Sequence, residues 1–160
     1  MSKQKNNKVQ DIASVIKQGK PFRSNYHKVA INIIYTGRWL FNLHNELFKT
    51  YGITAQQFNI LRILKGQHPK SATVKLLRER MLDKMSDTSR IVENLRKKEF
   101  VSRELNINNR REVEIMITEK GLHILDLIDL NSNETMENFV SKLSPQEVEL
   151  LNSMLDKLRS

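Results

Sequence analysis

Residues 85–101 read MSDTSRIVENLRKKEFV, and their pattern is the most informative in the chain. Its hydroxyl residue Ser86 is a typical N-cap, so we expect a helix to begin there. The apolar residues that recur at helical steps and predict a buried face are Ile91, Val92 and Leu95. The residues on another face are polar and mostly basic: Asp87, Arg90, Asn94 and Lys97 or Lys98. The stretch therefore predicts an amphipathic helix with a basic outer face.

Two alternating runs follow this helix and predict a β-hairpin. The residues that alternate in the two runs are Val101, Arg103 and Leu105, then Val113, Ile115 and Ile117. Between them, turn-forming asparagines in the segment 106–111 place Arg110 and Arg111 near the tip. We therefore expect a small β-wing with a basic tip.

Two shorter helices precede the stretch. Thr54-Ala-Gln-Gln57 has the pattern of a capping box, and Gly66 and Pro69 end the helix that it starts. Ser71 is the expected cap of the next helix, which is short and exposes basic residues, namely Lys75, Arg78 and Arg80. Short helix, turn, second helix and hairpin, in this order, are typical of a winged helix-turn-helix.

Long helices flank this region. The first runs from Asn25 to about Tyr51 and is apolar nearly all round between Ile31 and Phe41, which indicates contact with a second chain. Thr118 is the expected cap of the fifth helix, and Ser144-Pro-Gln-Glu147 is a complete start signal for the sixth. The apolar residues that we expect the sixth helix to bury are Val148, Leu151, Leu155 and Leu158.

The predicted fold is mainly α with a small β-hairpin wing: a winged helix-turn-helix lobe plus a helical dimerisation region. We expect residues 1–24 to be a basic tail or short helix and residues 25–160 to be one unit. Within that unit, we expect residues 54–118 to form the winged helix lobe, with the helices of residues 25–51 and 119–160 on either side of it in the chain.

Charge is unevenly distributed along the chain, whose formal net charge is +9. Residues 61–111 hold fourteen Lys or Arg against six Asp or Glu, a net charge of +8, whereas residues 112–160 carry a net charge of −6. An oriented basic surface favours a polyanionic partner, of which double-stranded DNA is the first candidate. Taken alone, the charge is equally compatible with a solvated surface.

Several function classes are excluded or disfavoured. Cysteine is absent, which excludes disulfides and thiolate metal sites. The histidines, which lack metal-binding spacing, are His27, His44, His68 and His123. Because the sequence also lacks a glycine-rich phosphate loop and a nucleophile elbow, we expect no enzyme, no metal and no cofactor.

The sequence predicts a cytoplasmic protein without a membrane segment. The longest strongly apolar stretch, Val29–Tyr35, is far shorter than the roughly 20 residues of a membrane-spanning helix. Lysines near the N-terminus are followed by polar residues rather than by an apolar core, so we expect no secretory signal.

Groove geometry identifies the candidate DNA contacts. The residues of the fourth helix that suit base edges or phosphates in the major groove are Ser86, Thr88, Ser89, Arg90 and Asn94. Helix N-termini at Ser71 and Ser86 suit phosphate. Lys98 is either a phosphate neighbour or a solubility residue. Arg110 and Arg111 are expected to enter the adjacent minor groove or to clamp the backbone.

Over residues 25–160 the chain resembles the MarR family of bacterial transcription regulators. The stretch 85–101 resembles the family's recognition helix, and Asn109-Arg-Arg with the following VEIMITEKG resembles its wing and the start of its fifth helix. Two positions depart from the family pattern. Asn109 stands where an acid usually precedes the paired arginines, and Glu99 stands where a glycine usually precedes the first wing strand.

The resemblance implies a homodimer formed by the first, fifth and sixth helices, and small anionic or phenolic effectors bound between the dimer core and the DNA-binding lobe. Trp39, His44 and Tyr51 are candidate pocket residues, for which core packing is the alternative. The expected function is a sequence-specific regulator, a ligand-responsive repressor that binds a pseudo-palindromic operator. The alternative is a non-specific, architectural DNA-binding protein.

Overall fold

The computed structural model describes residues 10–105, 113–140 and 142–160, and of residues 132–140 it describes the backbone alone. The helices in these ranges are α1 (Ile12–Val15), α2 (Asn25–Lys49), α3 (Ala55–Lys65), α4 (Val74–Arg80), α5 (Thr88–Lys97), α6 (Glu119–Val140) and α7 (Pro145–Leu158). The strands are β1 (Ala72–Thr73), β2 (Val101–Leu105) and β3 (Val113–Ile117). The chain divides into two compact units, of which the first ends at His44 and the second begins at Asn45.

The first unit contains α1 and most of α2. Asp11 caps α1 by accepting a hydrogen bond from the N–H of Ala13 at 3.3 Å. The same carboxylate forms an ion pair with Lys28 on α2 at 2.6 Å, which lowers the pKa of Asp11. Ile12 is buried. The short helix expected within residues 1–24 is therefore present, while residues 1–9 lie outside the described ranges.

The second unit has one hydrophobic core, to which α3, α4, α5, α6 and the sheet all contribute. The apolar side chains that are at most 1% exposed are Ile60, Leu61, Leu64, Leu77, Leu95, Ile115, Leu125 and Ile128. Since burying a large aliphatic side chain contributes roughly 1.5 to 3 kcal/mol, this shared core fixes the three short helices relative to the sheet.

The sheet is antiparallel, with β3 between β1 and β2. Val101 pairs with Ile117 and Leu105 with Val113, so the predicted hairpin strands are confirmed. Strand β1 was not predicted; its Ala72 pairs with Ile115 at the centre of the core. The prediction of a mainly helical fold with a small β-wing is confirmed.

Two helix starts agree with the sequence. Thr54 and Gln57 exchange hydrogen bonds of 3.2 Å in a capping box at α3. Ser144 and Glu147 form the same motif at α7, with a proline in the first turn. In both cases the box is made by residues three apart in sequence, so local chemistry alone determines it.

The expectation that Ser71 caps the third helix is wrong. Thr73 caps α4 instead, because its Oγ1 accepts a hydrogen bond from the N–H of Leu76 at 3.2 Å. Residues 72–73 pair with β3, and this pairing shifts the start of the helix two residues along the chain.

The expectation that α7 buries its apolar residues is wrong for a single chain. Leu151 is 45% and Leu158 63% exposed, and Val148 and Leu155 are half-buried. The apolar face of α7 therefore meets solvent. Among the helices of the described ranges, none combines the length and apolar character needed to cross a bilayer.

Candidate nucleic-acid interface

The N-cap of helix α5 is Asp87 rather than Ser86. The carboxylate of Asp87 accepts a hydrogen bond from the N–H of Arg90 at 3.1 Å, which makes it the N-cap. The expectation that Ser86 caps this helix is therefore wrong. Both residue types are good caps, and the negative charge of Asp87 gains from the positive end of the helix dipole.

Ser86 has a different partner in the turn before α5. Its hydroxyl donates to one carboxylate oxygen of Asp83 at 2.6 Å, and the N–H of Met85 donates to the other at 3.0 Å. The Ser86 hydroxyl, with the Met85 amide, holds the pKa of Asp83 below its ordinary value. These bonds close the turn that separates α4 from α5.

The two faces of α5 differ as the sequence indicates, except at Thr88. Val92 and Leu95 are buried. The exposed residues are Ser89, Arg90, Asn94, Arg96 and Lys97. Thr88 is 1% exposed, and its hydroxyl donates to the sulfur of Met81 at 3.4 Å. Its inclusion among the DNA contacts is therefore wrong, because Thr88 lies on the buried face, four residues before Val92.

A groove of about 430 Å³ lies beside the exposed face of α5. Its lining comes from the start of α3, the turn before α5 and α5 itself: Thr54, Gln56, Gln57, Asp83, Ser86, Asp87, Arg90, Ile91 and Asn94. The sequence did not single out Gln56 or Asp83 as site residues. The sequence feature that could have identified Gln56 as a site residue is its position beside the capping residue Gln57, in the first turn of α3.

Lys98 acts within the protein. Its ammonium group donates to the backbone carbonyl of Gly52 and, at 3.3 Å, to the side-chain oxygen of Gln57. It thereby joins the C-terminus of α5 to the start of α3. Because Lys98 is half-buried and its ammonium group has these partners, we infer that it positions α5 rather than contacting DNA.

Ser71 and α4 precede α5 in the chain. Ser71 is half-buried and precedes β1, so it offers no helix N-terminus to a phosphate. Three basic residues of α4, Lys75, Arg78 and Arg80, are exposed, as expected. They extend the positive charge of the lobe beyond α5.

The base of the wing is held at Glu99, where the family pattern has glycine. Glu99 has φ +63°, in the left-handed region that favours glycine. Its carbonyl accepts from the hydroxyl of Thr118 at 2.7 Å, and its carboxylate lies 2.7 Å from the ammonium of Lys120. Lys120 holds the pKa of Glu99 below its usual value. Arg110 and Arg111 lie outside the described residues.

The candidate effector residues fall in different units. Trp39, 41% exposed, and His44, whose pKa is lowered by burial, belong to the first unit. Tyr51 belongs to the second unit, where it is half-buried and packs against the core. Within the described ranges, no group of three or more histidine and carboxylate side chains is placed to hold a metal ion.

Comparison with known proteins identifies the family. The MarR family model matches residues 53–113. The HTH-type transcriptional regulator MgrA of Staphylococcus aureus is 31% identical over 114 residues, which cover 71% of this chain and 75% of MgrA. The match to MgrA therefore covers more of the chain than the family model does.

Two solved structures share the fold. A mutant MarR from E. coli complexed with operator DNA has a TM-score of 0.75 at 21% identity, covering 87% of this chain and 99% of that one. The organohalide-sensing regulator RdhR, in its 2,4-dichlorophenol-bound form, has a TM-score of 0.77 at 19% identity, covering 89% and 86%. Together with the sequence match, these findings show that the chain belongs to the MarR family of transcriptional regulators and is not an enzyme.

Proposed function

We propose that this regulator is a sequence-specific repressor that binds a pseudo-palindromic operator as a homodimer. The observation that carries the proposal is that α5 exposes Ser89, Arg90 and Asn94 while Val92 and Leu95 are buried in the core. Arginine pairs with guanine and asparagine with adenine through two hydrogen bonds in the major groove, and a short hydroxyl reaches either base or phosphate. The neighbour MarR was crystallised with operator DNA, which supports the same use of this fold.

Positive charge around α5 supports binding to the DNA backbone. The exposed basic residues of α4 and the N-terminus of α3 beside the groove are suited to phosphates on either side of the major groove. Arg110 and Arg111 are proposed to contact the minor groove or the backbone beyond it. Replacing either arginine with alanine should weaken binding and reduce its salt dependence.

Exposed apolar residues support a dimer. On α7, Leu150, Leu151, Met154 and Leu158 are between 45% and 63% exposed. In the first unit, α2 exposes Tyr26 at 89% and Ile34 at 57%. Apolar surface on this scale is typical of protein–protein interfaces. A second copy of the chain would cover it and would hold two α5 helices at a fixed spacing, as an inverted repeat requires.

A small anionic or phenolic effector is proposed to release the repressor from DNA. RdhR was crystallised with 2,4-dichlorophenol, which supports an effector of this class. Trp39 and His44 of the first unit and Tyr51 of the second unit are separate candidate residues for such an effector. The effector would act only if it binds more tightly to a dimer whose lobes no longer match the operator, because differential affinity alone shifts such an equilibrium.

Selection of bound duplexes from a random pool at physiological salt, with the mass of the complex recorded, tests the proposal. We expect an enriched inverted repeat, with half-sites about one helical turn or roughly 34 Å apart, bound by two chains. Preference over random duplex should be about a thousandfold or more. Binding without enrichment would contradict the proposal and support the architectural alternative.

A further inference from the structure

Two large apolar side chains in the turn before α5 are exposed to solvent. Leu82 is 88% exposed and Met85 94% exposed. Met85 is the most exposed of the large apolar side chains in the described ranges. A single exposed apolar residue is ordinary, but here two lie three residues apart, in the turn that leads into the candidate recognition helix.

The turn is fixed by hydrogen bonds. The N–H of Leu82 donates to the side-chain oxygen of Asn59 on α3 at 3.0 Å. The N–H of Met85 donates to Asp83, as does the hydroxyl of Ser86. Both peptide N–H groups are therefore satisfied, and the backbone holds the two apolar side chains outward rather than letting them fold onto the core.

The apolar pair adjoins the proposed DNA-binding face. Asp83 and Ser86, the neighbours of Leu82 and Met85 in the turn, line the same groove as Asn94. Leu82 and Met85 are therefore next in the chain to residues that line the groove, although they do not line it themselves. The basic residues around the face favour DNA as its occupant.

The major groove presents one apolar group, the 5-methyl group of thymine. Methionine suits such a contact because its unbranched side chain has three rotatable bonds and a polarisable sulfur. Met85 precedes the N-cap Asp87 by two residues, and the start of a recognition helix is the part that contacts base edges.

We propose that Met85 packs against the 5-methyl group of a thymine in each operator half-site, and that Leu82 extends the same apolar surface. This inference rests on the proposed function, in which α5 enters the major groove. Met85, which lies outside the helix, would then help to determine the preferred DNA sequence, and the base that it recognises would be thymine.

Deoxyuridine, which differs from thymidine by that methyl group alone, provides the test. Each thymine of the selected operator is replaced in turn, symmetrically in both half-sites, and the affinity of the full chain is measured. At one position the wild-type affinity should fall about fourfold per half-site, the effect of removing one methyl group that is buried in the complex. Met85→Ala should abolish the response at that position alone, and Met85→Leu should retain part of it.

The outcomes separate this inference from the function on which it rests. Sequence-selective binding in which Met85→Ala leaves every deoxyuridine response unchanged would overturn the role of Met85 and leave the proposed function intact. Failure to select any sequence would overturn both. Because Met85 is so exposed, the alanine variant should melt at the wild-type temperature, which a thermal denaturation curve checks.

Discussion

Gly121 lies directly against the backbone carbonyl of Phe100, where the first turn of α6 passes the start of strand β2. A Cβ atom at this position would overlap the carbonyl oxygen and would also crowd Ile117 at 2.8 Å. The contact joins the base of the wing to the long helix α6. Because the nearest atoms of Phe100 belong to the backbone, they cannot rotate away from an added Cβ as a flexible side chain could.

Gly121→Ala should therefore destabilise the protein by about 1 to 3 kcal/mol, the usual cost of overpacking a filled site. Gly66→Ala is the matched control, because a Cβ at Gly66 meets its nearest atoms at an ordinary 3.5 Å. Chemical denaturation of both variants measures the effect. Equal free energies of unfolding for the two variants would contradict the close contact.

Glu99 combines an unfavourable backbone conformation with an exposed ion pair. Glu99→Gly should be more stable than Glu99→Ala by about 1 kcal/mol, because both lose the ion pair with Lys120 and only glycine accepts φ +63° without strain. Thermal melts of the two variants in the same buffer make the comparison. An alanine variant as stable as the glycine variant would show that the left-handed backbone is absent.

The capping roles of Asp87 and Ser86 can be separated. Asp87→Ala should lower the free energy of unfolding by about 1 kcal/mol, the typical loss of an N-cap. Ser86→Ala should cost less, because the Ser86 hydroxyl bonds to Asp83 rather than to the helix. Urea denaturation ranks the two variants, and the reverse order would restore Ser86 as the cap.

An exposed ion pair between α3 and α6 gives a pH dependence. The hydrogen bond from Lys65 to Asp126, at 2.7 Å, and the charge of Lys65 lower the pKa of Asp126. A lowered folded-state pKa means that the stabilisation is present above the unfolded-state value, near 3.8, and is lost as the pH falls through the folded-state value.

Asp126→Asn should accordingly melt below the wild type at neutral pH, and the difference should vanish once the pH is below the folded-state pKa. High salt should also reduce this difference in melting temperature, because the ion pair is exposed and salt screens it. Melting curves at several pH values follow the difference. A gap that persists in acid would assign it to packing rather than to charge.

Local chemistry made much of this fold predictable. The capping boxes at Thr54 and Ser144 involve neighbouring residues, and the hairpin strands alternate clearly, so all were predicted. Thr88 was misassigned although its spacing from Val92 and Leu95 marks the buried face. Its hydroxyl suggested a polar role, and nothing in the sequence shows that the sulfur of Met81, seven residues earlier at the end of α4, accepts its hydrogen bond.

Tertiary contacts explain the other differences. Two residues are too few to show alternation, so β1 is recognisable only by its pairing with β3, and that pairing moves the cap of α4 from Ser71 to Thr73. Lys98 gives no sequence signal that its partners lie at Gly52 and Gln57, more than forty residues earlier.

Repeating the selection from random duplexes with Arg90→Ala tests whether the exposed face of α5 determines the operator sequence. We expect that one symmetry-related base position loses its preference, that the others keep theirs, and that the binding free energy for the wild-type operator weakens by about 1 to 3 kcal/mol. A uniform loss across all sequences would make Arg90 a phosphate contact. An unchanged preference and affinity would contradict the claim that this face determines the sequence.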